Sequence, residues 1–255
     1  MKKILSTISL AAVLASSASA DLLRVEAGAG VWGQKGSGSA TLSSGSDLIP
    51  IEGEYTTNGD NQTDIYVWAL FKHFIPLVPN VRLEYTTLTD EGKTSGDLVG
   101  YPTLNGAYTT IDMKQFDIIP YYNILDNTFW ITLDVGLDIK YTQSDVTIDT
   151  SDGTVLTPAQ YTNSSDVVVP LLYVRGRVQV PGTGLGFESD IKYITDGDST
   201  VYDARAKVDY TFDITPLIQP GIEVGYRIQK YDINTDDTTS NLEYKGVYAG
   251  VMLRF

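Results

Sequence analysis

The chain has 255 residues, with 32 acidic against 18 basic side chains, no cysteine and a single histidine. Its net charge of -14 at pH 7 argues against a nucleic-acid partner, because binding to phosphates needs clustered Lys and Arg. Without cysteine neither a disulfide framework nor a lipidated N-terminus is available, so hydrogen bonds and burial must hold the fold together.

The first twenty residues have the pattern of a cleaved signal peptide. Two lysines precede an apolar stretch over 4–14, and small residues stand at Ala18 and Ala20. This stretch of about eleven residues is too short for a membrane-spanning helix, which needs roughly 20. We therefore predict a signal peptide over 1–20, cleavage after Ala20 and one mature domain over 21–255.

The mature sequence alternates apolar and polar residues with a period of two, which is typical of β-strands. In the best example, the even positions from Tyr202 to Ile214 are apolar and the odd positions from Asp203 to Asp213 are charged or polar. Clusters of Gly, Pro, Asn and Asp bound ten such segments. The ten predicted strands cover 22–34, 63–74, 80–90, 109–123, 128–145, 165–180, 185–195, 201–214, 221–233 and 241–255.

The connectors between these segments indicate the fold class. Five polar outer loops are predicted over 35–62, 91–108, 146–164, 196–200 and 234–240, and short turns over 75–79, 124–127, 181–184 and 215–220. Short periplasmic turns with longer extracellular loops are the arrangement of outer-membrane barrels. We predict an all-β, transmembrane, antiparallel up-and-down β-barrel of ten strands in the bacterial outer membrane, with eight strands left open. The alternative is a soluble β-sandwich, which has no reason to alternate loop length.

Aromatic residues near the strand ends are predicted to form girdles at the two membrane interfaces. The separation of Phe129 and Tyr141, at ~3.3 Å per residue and a tilt of ~40°, spans roughly 30 Å. The predicted girdle consists of Tyr85, Phe129, Tyr141, Phe187, Tyr193, Tyr202 and Phe212.

The polar face of each strand is assigned to the lumen. The principal lumen candidates are Arg82, Glu84, Asp134, Asp138, Lys140, Arg175, Arg177, Asp203, Arg205, Lys207, Asp209 and Arg227. The same parity adds Arg24, Glu26, Asp117, Glu188, Asp190, Lys192, Glu223 and Arg254, so acids and bases balance. A balanced set predicts a network of ion pairs that fills the barrel, because isolated buried charges are costly.

The functional alternative for this interior is a narrow polar conduit. Its positive constriction would lie at Arg175, Arg177 and Arg205. Porins with open aqueous channels have 16 to 18 strands, whereas barrels near eight strands are mostly filled by their own side chains. Ten strands therefore favour the filled interior.

Catalysis is not predicted, because the residue types that it needs are missing from the outer end. His73 is the single histidine and stands beside the predicted periplasmic turn over 75–79. With no Cys, this argues against a Ser-His-Asp triad, a Cys nucleophile and a multi-His metal site at the loops. We predict no catalytic residue, no cofactor and no resident metal.

Acidic residues concentrate in the predicted outer segments. They are Asp47, Glu52, Glu54, Asp60, Asp64, Asp90, Glu91, Asp97, Asp149, Asp152, Asp196, Asp198, Asp236 and Asp237. Such a surface would repel lipopolysaccharide phosphates unless divalent cations bridged the two. The simpler interpretation is that these are solvated loop residues.

The last strand alternates apolar residues from Val247 to Phe255 and ends the chain on an aromatic residue. This pattern is typical of the closing strand of an outer-membrane barrel. We predict an assembly signal at Tyr248, Val251, Leu253 and Phe255. Its partners would be periplasmic chaperones and the barrel assembly machinery.

Two segments resemble a family of small Gram-negative outer-membrane barrels labelled "OMP with Gly-Gly". The first is ALFKHFIPLVPNVRLEY over 69–85, and the second is YYNILDN over 121–127 running into ITLDVGL over 131–137. This chain has Lys72-His73-Phe74 where the family tends to have Glu-His-Pro, and its closing segment follows the family pattern more loosely. The resemblance covers the mature chain and implies fold and location, with no catalytic residue to carry over.

Two functions are consistent with these features. The first is a passive outer-membrane barrel, at most a narrow porin-like diffusion channel for small hydrophilic solutes or ions. The second is a structural or surface-interaction barrel with acidic extracellular loops and no conductance. Both would contact outer-membrane lipid and lipopolysaccharide.

Overall fold

The computed structural model describes residues 23–43, 51–75, 77–98, 104–149, 160–215, 217–234 and 239–255. The predicted signal peptide lies outside these residues. The strands are β1 (Arg24–Ser43), β2 (Ile51–Thr57), β3 (Asn61–Lys72), β4 (Asn80–Leu98), β5 (Leu104–Thr128), β6 (Ile131–Asp149), β7 (Gln160–Gln179), β8 (Leu185–Thr195), β9 (Thr200–Thr211), β10 (Gln219–Asn234) and β11 (Thr239–Arg254). No helix within the described ranges is long and apolar enough to cross a membrane.

The strands form one antiparallel sheet that closes on itself. From β4 onward each strand pairs with the next, and β11 pairs with β1 from Glu26 opposite Arg254 to Ala40 opposite Ser240. β2 and β3 follow one another between β1 and β4, so the eleven strand segments occupy ten positions in the wall. The predicted ten-stranded antiparallel barrel is confirmed.

Side chains alternate between the interior and the outer surface, since successive residues of a strand point to opposite faces. On β9, Asp203 and Arg205 are buried inside the barrel, whereas Val208 and Tyr210 are exposed outside. Large apolar side chains such as Leu137 are exposed around the whole wall, and together they form an outer apolar band. A hydrocarbon surface of this extent suits lipid rather than water.

The strands extend further than predicted at the end that carries the predicted outer loops, which we call the loop end; the opposite end is the turn end. β2 lies within the predicted loop 35–62, and β4 and β5 cover most of 91–108. β6 continues to Asp149. The predicted extent of these loops was too large, because apolar–polar alternation marks only the part of a strand that faces lipid. Above the apolar band both faces are polar, and the ladder continues without that signal.

The turn predicted over 124–127 was wrong. These residues belong to β5, and the chain reverses at Phe129 and Trp130, whose φ angles are 53° and 65°. The pairing of β5 with β6 shifts after Asn123 and again after Leu125. The turn-forming residues of this segment therefore mark β-bulges at the strand end, where the ladder takes up extra residues.

The wall is not equally high all round. β8 and β9 are short and are joined at the loop end by a hairpin between Thr195 and Thr200. β8 pairs with β7 only from Leu172 to Gln179, whereas β7 continues towards the loop end and pairs there with β6. The loop end of the barrel therefore has a notch above β8 and β9.

Candidate functional site

The twelve principal lumen candidates all lie inside the barrel. The most exposed of them, Arg205, retains only 8% of its accessible surface. The interior also contains Lys72, Asp64 and Asp90. The last two were predicted to belong to the acidic outer surface, which was wrong; they share the inward parity of their strands and lie inside the barrel.

Ion pairs connect opposite walls of the barrel near its middle. The Glu84 carboxylate on β4 accepts hydrogen bonds from Arg205 Nη2 on β9 and from Lys192 Nζ on β8, each at 2.6 Å. Arg82 Nε donates to the same carboxylate at 2.6 Å. Since β4 lies across the ten-position ring from β8 and β9, these side chains cross the lumen rather than line it.

Lys192 is the centre of this cluster. Besides Glu84, it contacts Asp117, and its Nζ lies 3.6 Å from the Asp138 carboxylate. Asp117 also accepts a hydrogen bond from Lys140 Nζ at 3.1 Å. Both carboxylate oxygens of Asp138 are buried, and no group among the described residues donates a hydrogen bond to either. The cluster is thus closely paired at Asp117 and incompletely paired at Asp138.

The arginines of the predicted positive constriction are each paired with two carboxylates. Arg175 bonds to Asp134 at 2.7 Å and to Glu188 at 2.6 Å. Arg177 forms a two-pronged pair with Asp209, at 2.6 and 2.9 Å, and also contacts Glu188 at 3.1 Å. Arg205 pairs with Asp190 at 2.7 Å as well as with Glu84. These guanidinium charges are compensated, so they do not form a free positive ring.

Aromatic side chains complete the filling of the interior. The Trp68 ring lies against the Arg82 guanidinium at 5.1 Å and Lys207 Nζ at 4.6 Å, distances at which a cation is attracted to the ring face. Tyr66 Oη and Trp68 Nε1 on β3 donate to Glu223 on β10, three positions away around the ring, at 2.8 and 3.0 Å. Gly28 makes this packing possible, because a Cβ there would lie 2.5 Å from Trp68 Nε1.

These interior aromatic residues were not predicted, although the sequence contains a signal for them. Tyr66 and Trp68 share the parity of Asp64, which marks them as inward-facing. Their apolar character concealed this, since the charged residues alone were assigned to the lumen.

A second polar cluster fills the barrel at the loop end, beyond the apolar band. The Asp90 carboxylate accepts hydrogen bonds from Tyr55 Oη at 2.7 Å, Thr57 Oγ1 at 2.8 Å and Tyr244 Oη at 3.5 Å. No ion pair to Asp90 is found among the described residues. Burial raises the pKa of the Asp90 carboxyl and also those of the two tyrosine hydroxyls.

The predicted girdle residues lie on the outer surface. Tyr85 on β4 and Tyr141 on β6 stand in register with Phe116 on β5, so three aromatic rings follow one another across neighbouring strands. Tyr193 and Tyr202 are directly opposite each other on β8 and β9. The remaining girdle residues, Phe129, Phe187 and Phe212, are exposed towards the turn end.

The four residues of the predicted assembly signal divide between the two faces of β11. Val251, Leu253 and Phe255 are exposed outside, whereas Tyr248 is buried and packs edge-on against Tyr66, with ring centroids 5.3 Å apart. The Phe255 N–H donates to the Val25 carbonyl at 2.9 Å, which continues the seam between β11 and β1 to the last residue.

His73 lies at the turn end, as its position beside the predicted turn indicated. Its Nε2 is 3.1 Å from the Pro79 carbonyl oxygen, and its Nδ1 accepts the N–H of Ile75 at 3.1 Å. Both ring nitrogens are thus engaged by backbone groups of the turn. In the part of the chain that the structure describes, no group of three or more His, Cys, Asp or Glu residues is arranged to hold a metal ion.

The acidic residues predicted in the outer loops have different surroundings where the structure describes them. Among the described side chains, Glu54, Asp60, Asp196 and Asp198 are exposed at the loop end. The Asp196 Oδ1 accepts the N–H groups of Asp198 and Ser199, at 3.2 and 2.7 Å, and so closes its own hairpin. The predicted positions Asp47, Asp152, Asp236 and Asp237 lie outside the described residues.

The chain is similar in fold to solved barrel structures. It matches the outer membrane protease OmpT from Escherichia coli with a TM-score of 0.52 and 10% identity, over 91% of this chain and 96% of that one. The outer membrane protein OprG from Pseudomonas aeruginosa gives a TM-score of 0.38 at 10% identity, with 91% and 95% covered. Neisserial surface protein A gives 0.31 at 13% identity, with 91% and 97% covered.

Sequence comparison adds no closer assignment. No family model matches the chain, and no curated protein matches it. The resemblance to the "OMP with Gly-Gly" family therefore stays a prediction. What the barrel geometry and the similarity to OmpT establish is the fold, an antiparallel β-barrel of the outer-membrane type.

Proposed function

We propose that this chain is an outer-membrane protein whose barrel is closed to solutes and which acts through its extracellular surface without catalysis. The apolar outer band, the aromatic rows and the predicted signal peptide with cleavage after Ala20 support this location. The loop end would then face the exterior and the turn end the periplasm.

The observation that carries the proposal is the crossing of the lumen by paired side chains. Glu84 joins Arg205 and Lys192 across the middle of the barrel. Nearer the loop end, Gln115 Nε2 on β5 donates to Tyr231 Oη on β10 at 3.0 Å. A solute would have to break these buried pairs, and an unpaired buried charge is costly.

The second candidate is the narrow porin-like channel for small hydrophilic solutes or ions. The observation in its favour is the density of charge in the lumen, which would suit water and ions if the pairs exchanged partners. Planar-bilayer recording tests the two candidates directly. We expect the purified barrel to give no reproducible conductance steps, and regular steps that change in Arg175→Ala or Arg177→Ala would contradict a closed interior.

We infer that the chain has no catalytic role at its extracellular end. Support comes from His73, which is hydrogen-bonded through both ring nitrogens at the opposite end of the barrel. The similarity of fold to OmpT at 10% identity does not carry protease chemistry to this chain. General acid–base catalysis needs a positioned group within reach of substrate, and the sequence offers no other histidine.

The partners proposed for this protein follow from its location. Outer-membrane lipid and lipopolysaccharide would surround the apolar band, and periplasmic chaperones and the barrel assembly machinery would deliver the chain. Divalent cations at the acidic loops remain a weaker proposal, since the Asp196 carboxylate already closes its own hairpin. No nucleic acid is proposed as a partner.

A further inference from the structure

The loop-end half of β7 has an open edge. From Asn163 to Leu171 this strand pairs with β6, but its pairing with β8 begins only at Leu172. Among the described residues, no strand pairs with the other edge of this stretch. At ~3.3 Å per residue the open edge is roughly 30 Å long, enough for a peptide of about nine residues to pair along it.

From Asn163 to Val168 the side chains on this edge are exposed on both faces, whereas Leu171 at its end is buried. Val167 is 52% exposed and Val168 is 61% exposed, although the two point to opposite sides of the sheet. Val167 points inward, like the buried odd-numbered residues of β7, and it is exposed because the notch above β8 and β9 leaves that side open. Valines on an unpaired edge favour pairing with another extended chain.

Pro170 is a further sign that this edge is open. Proline has no N–H, so within sheets it is tolerated where the missing donor would face an unpaired edge. Because N–H groups alternate in direction along a strand, the N–H groups of Val168 and Asp166 then face the same open side as the ring of Pro170. They are the donors that an added strand would use.

The chain segments beside the open edge and the notch carry acidic but no basic side chains. There is no Lys or Arg from Tyr141 to Leu171, nor from Tyr193 to Ala204. The same stretches contribute exposed or partly exposed carboxylates on both sides of the notch, at Asp145, Asp149, Asp166, Asp196 and Asp198. Lys230 on β10, which borders the notch beyond β9, is paired with Asp232 at 3.0 Å, so an approaching strand meets a surface of net negative charge.

We propose that the open edge of β7 binds an extended cationic peptide segment of another molecule by β-strand addition. The backbone would supply the hydrogen bonds, and basic side chains would complement the carboxylates around the notch. A second copy fits less well. Two barrels in one membrane hold their β7 strands parallel and would bring two acidic sectors together.

This proposal deepens the proposed surface function and depends on exposure of the loop end, not on closure of the lumen. The test uses the full mature barrel in lipid nanodiscs and a fluorescein-labelled decapeptide of alternating Val and Lys, followed by fluorescence anisotropy. One comparison peptide has Glu in place of Lys, and another has alternate backbone amides N-methylated. We expect saturable binding of the parent and at least tenfold weaker binding of both comparison peptides, since several hydrogen bonds worth about two- to tenfold each are lost on N-methylation.

Protein variants locate the binding surface. Val168→Pro removes one open-edge donor and should weaken binding by about two- to tenfold, while heat modifiability in gels shows that the barrel still folds. Asp166→Asn should weaken it by roughly two- to fivefold. The matched control is Glu54→Gln on β2, which is paired on both edges, and it should bind as the wild type does.

Several outcomes would overturn the proposal. Equal binding of the N-methylated peptide would mean charge attraction without strand addition. Crosslinking of two barrels through their β7 strands would make a second copy the occupant. Mass spectrometry of the recovered peptide separates the two proposals: cleavage would contradict the non-catalytic function and leave the docking surface standing, whereas an intact but unbound peptide would overturn the docking surface alone.

Discussion

Individual buried charges in this barrel differ in how well they are paired. Asp117 accepts a hydrogen bond from Lys140 and contacts Lys192, whereas no described side chain or backbone group donates to either Asp138 oxygen. Both carboxylates are almost fully buried. The cost of burying a charge is offset only where partners are close, so removing these two charges should have unequal effects.

We therefore expect Asp117→Asn to lower the free energy of unfolding by about 3 kcal/mol, because it leaves buried ammonium groups with fewer partners. Asp138→Asn should change it little or raise it. Urea unfolding of the two purified variants, followed by tryptophan fluorescence, measures the difference. A larger loss of stability in Asp138→Asn than in Asp117→Asn would mean that the charge of Asp138 is the better stabilised of the two.

The Asp90 carboxyl gives stability a dependence on pH. Its pKa in the fold is raised by burial above the value near 3.9 expected in the unfolded chain, so the fold favours the protonated form. Its stabilising contribution is complete below about pH 4 and is lost as pH rises through the raised pKa. Asp90→Asn is neutral at every pH, so it should stabilise the barrel at pH 8 and leave its stability unchanged at pH 4.

The measurement is urea unfolding at both pH values beside Asp60→Asn, an exposed carboxylate also at the loop end. That control should change stability at neither pH. A loss of stability in Asp90→Asn at pH 8 would show that the hydrogen bonds from Tyr55 and Thr57 outweigh the cost of burying the charge.

At the scale of the elements, β11 is the strand that closes the barrel, and its pairing with β1 continues to the last residue. Phe255 is 54% exposed on the outer surface, while its backbone bonds with Val25. We predict that this exposed side chain is recognised by another protein before the barrel closes. Its backbone bonds do not depend on the ring.

We predict that Phe255→Ala, or deletion of Phe255, lowers the amount of assembled barrel in the outer membrane while export to the periplasm continues. Cell fractionation with a heat-modifiability gel measures it. The matched control is Phe212→Ala, an exposed aromatic towards the same end on a different part of the wall. Normal assembly of the Phe255 variants would show that this end is not the assembly signal.

For the molecule as a whole, the proposed closure of the lumen depends on contacts across the ring. If the Glu84–Arg205 pair helps block the path, its removal in Glu84→Ala/Arg205→Ala should create conductance steps that the wild type lacks. Glu243→Ala/Lys245→Ala removes an outer-surface pair of similar length, 2.7 Å, and should remain silent. Equal conductance in all three proteins would mean that these side chains do not close the barrel.

The sequence by itself determined the parity of the strands. Alternation placed Asp203 and Arg205 inside and Tyr210 outside because successive residues of a strand must face opposite ways. The same rule placed the twelve lumen candidates in the interior. Where both faces of a strand are polar, alternation gives no signal, and the loop-end extensions of β1, β4 and β6 cannot be distinguished from loops in the sequence.

Only the tertiary structure decided which of the inward side chains meet. Glu84 and Arg205 are 121 positions apart, and their contact depends on how many strands form the ring and how far each is shifted against the next. The same closure set the unequal height of the wall and left one edge of β7 unpaired among the described strands. Local alternation cannot specify these features, since they arise from the stagger of strands distant in the chain.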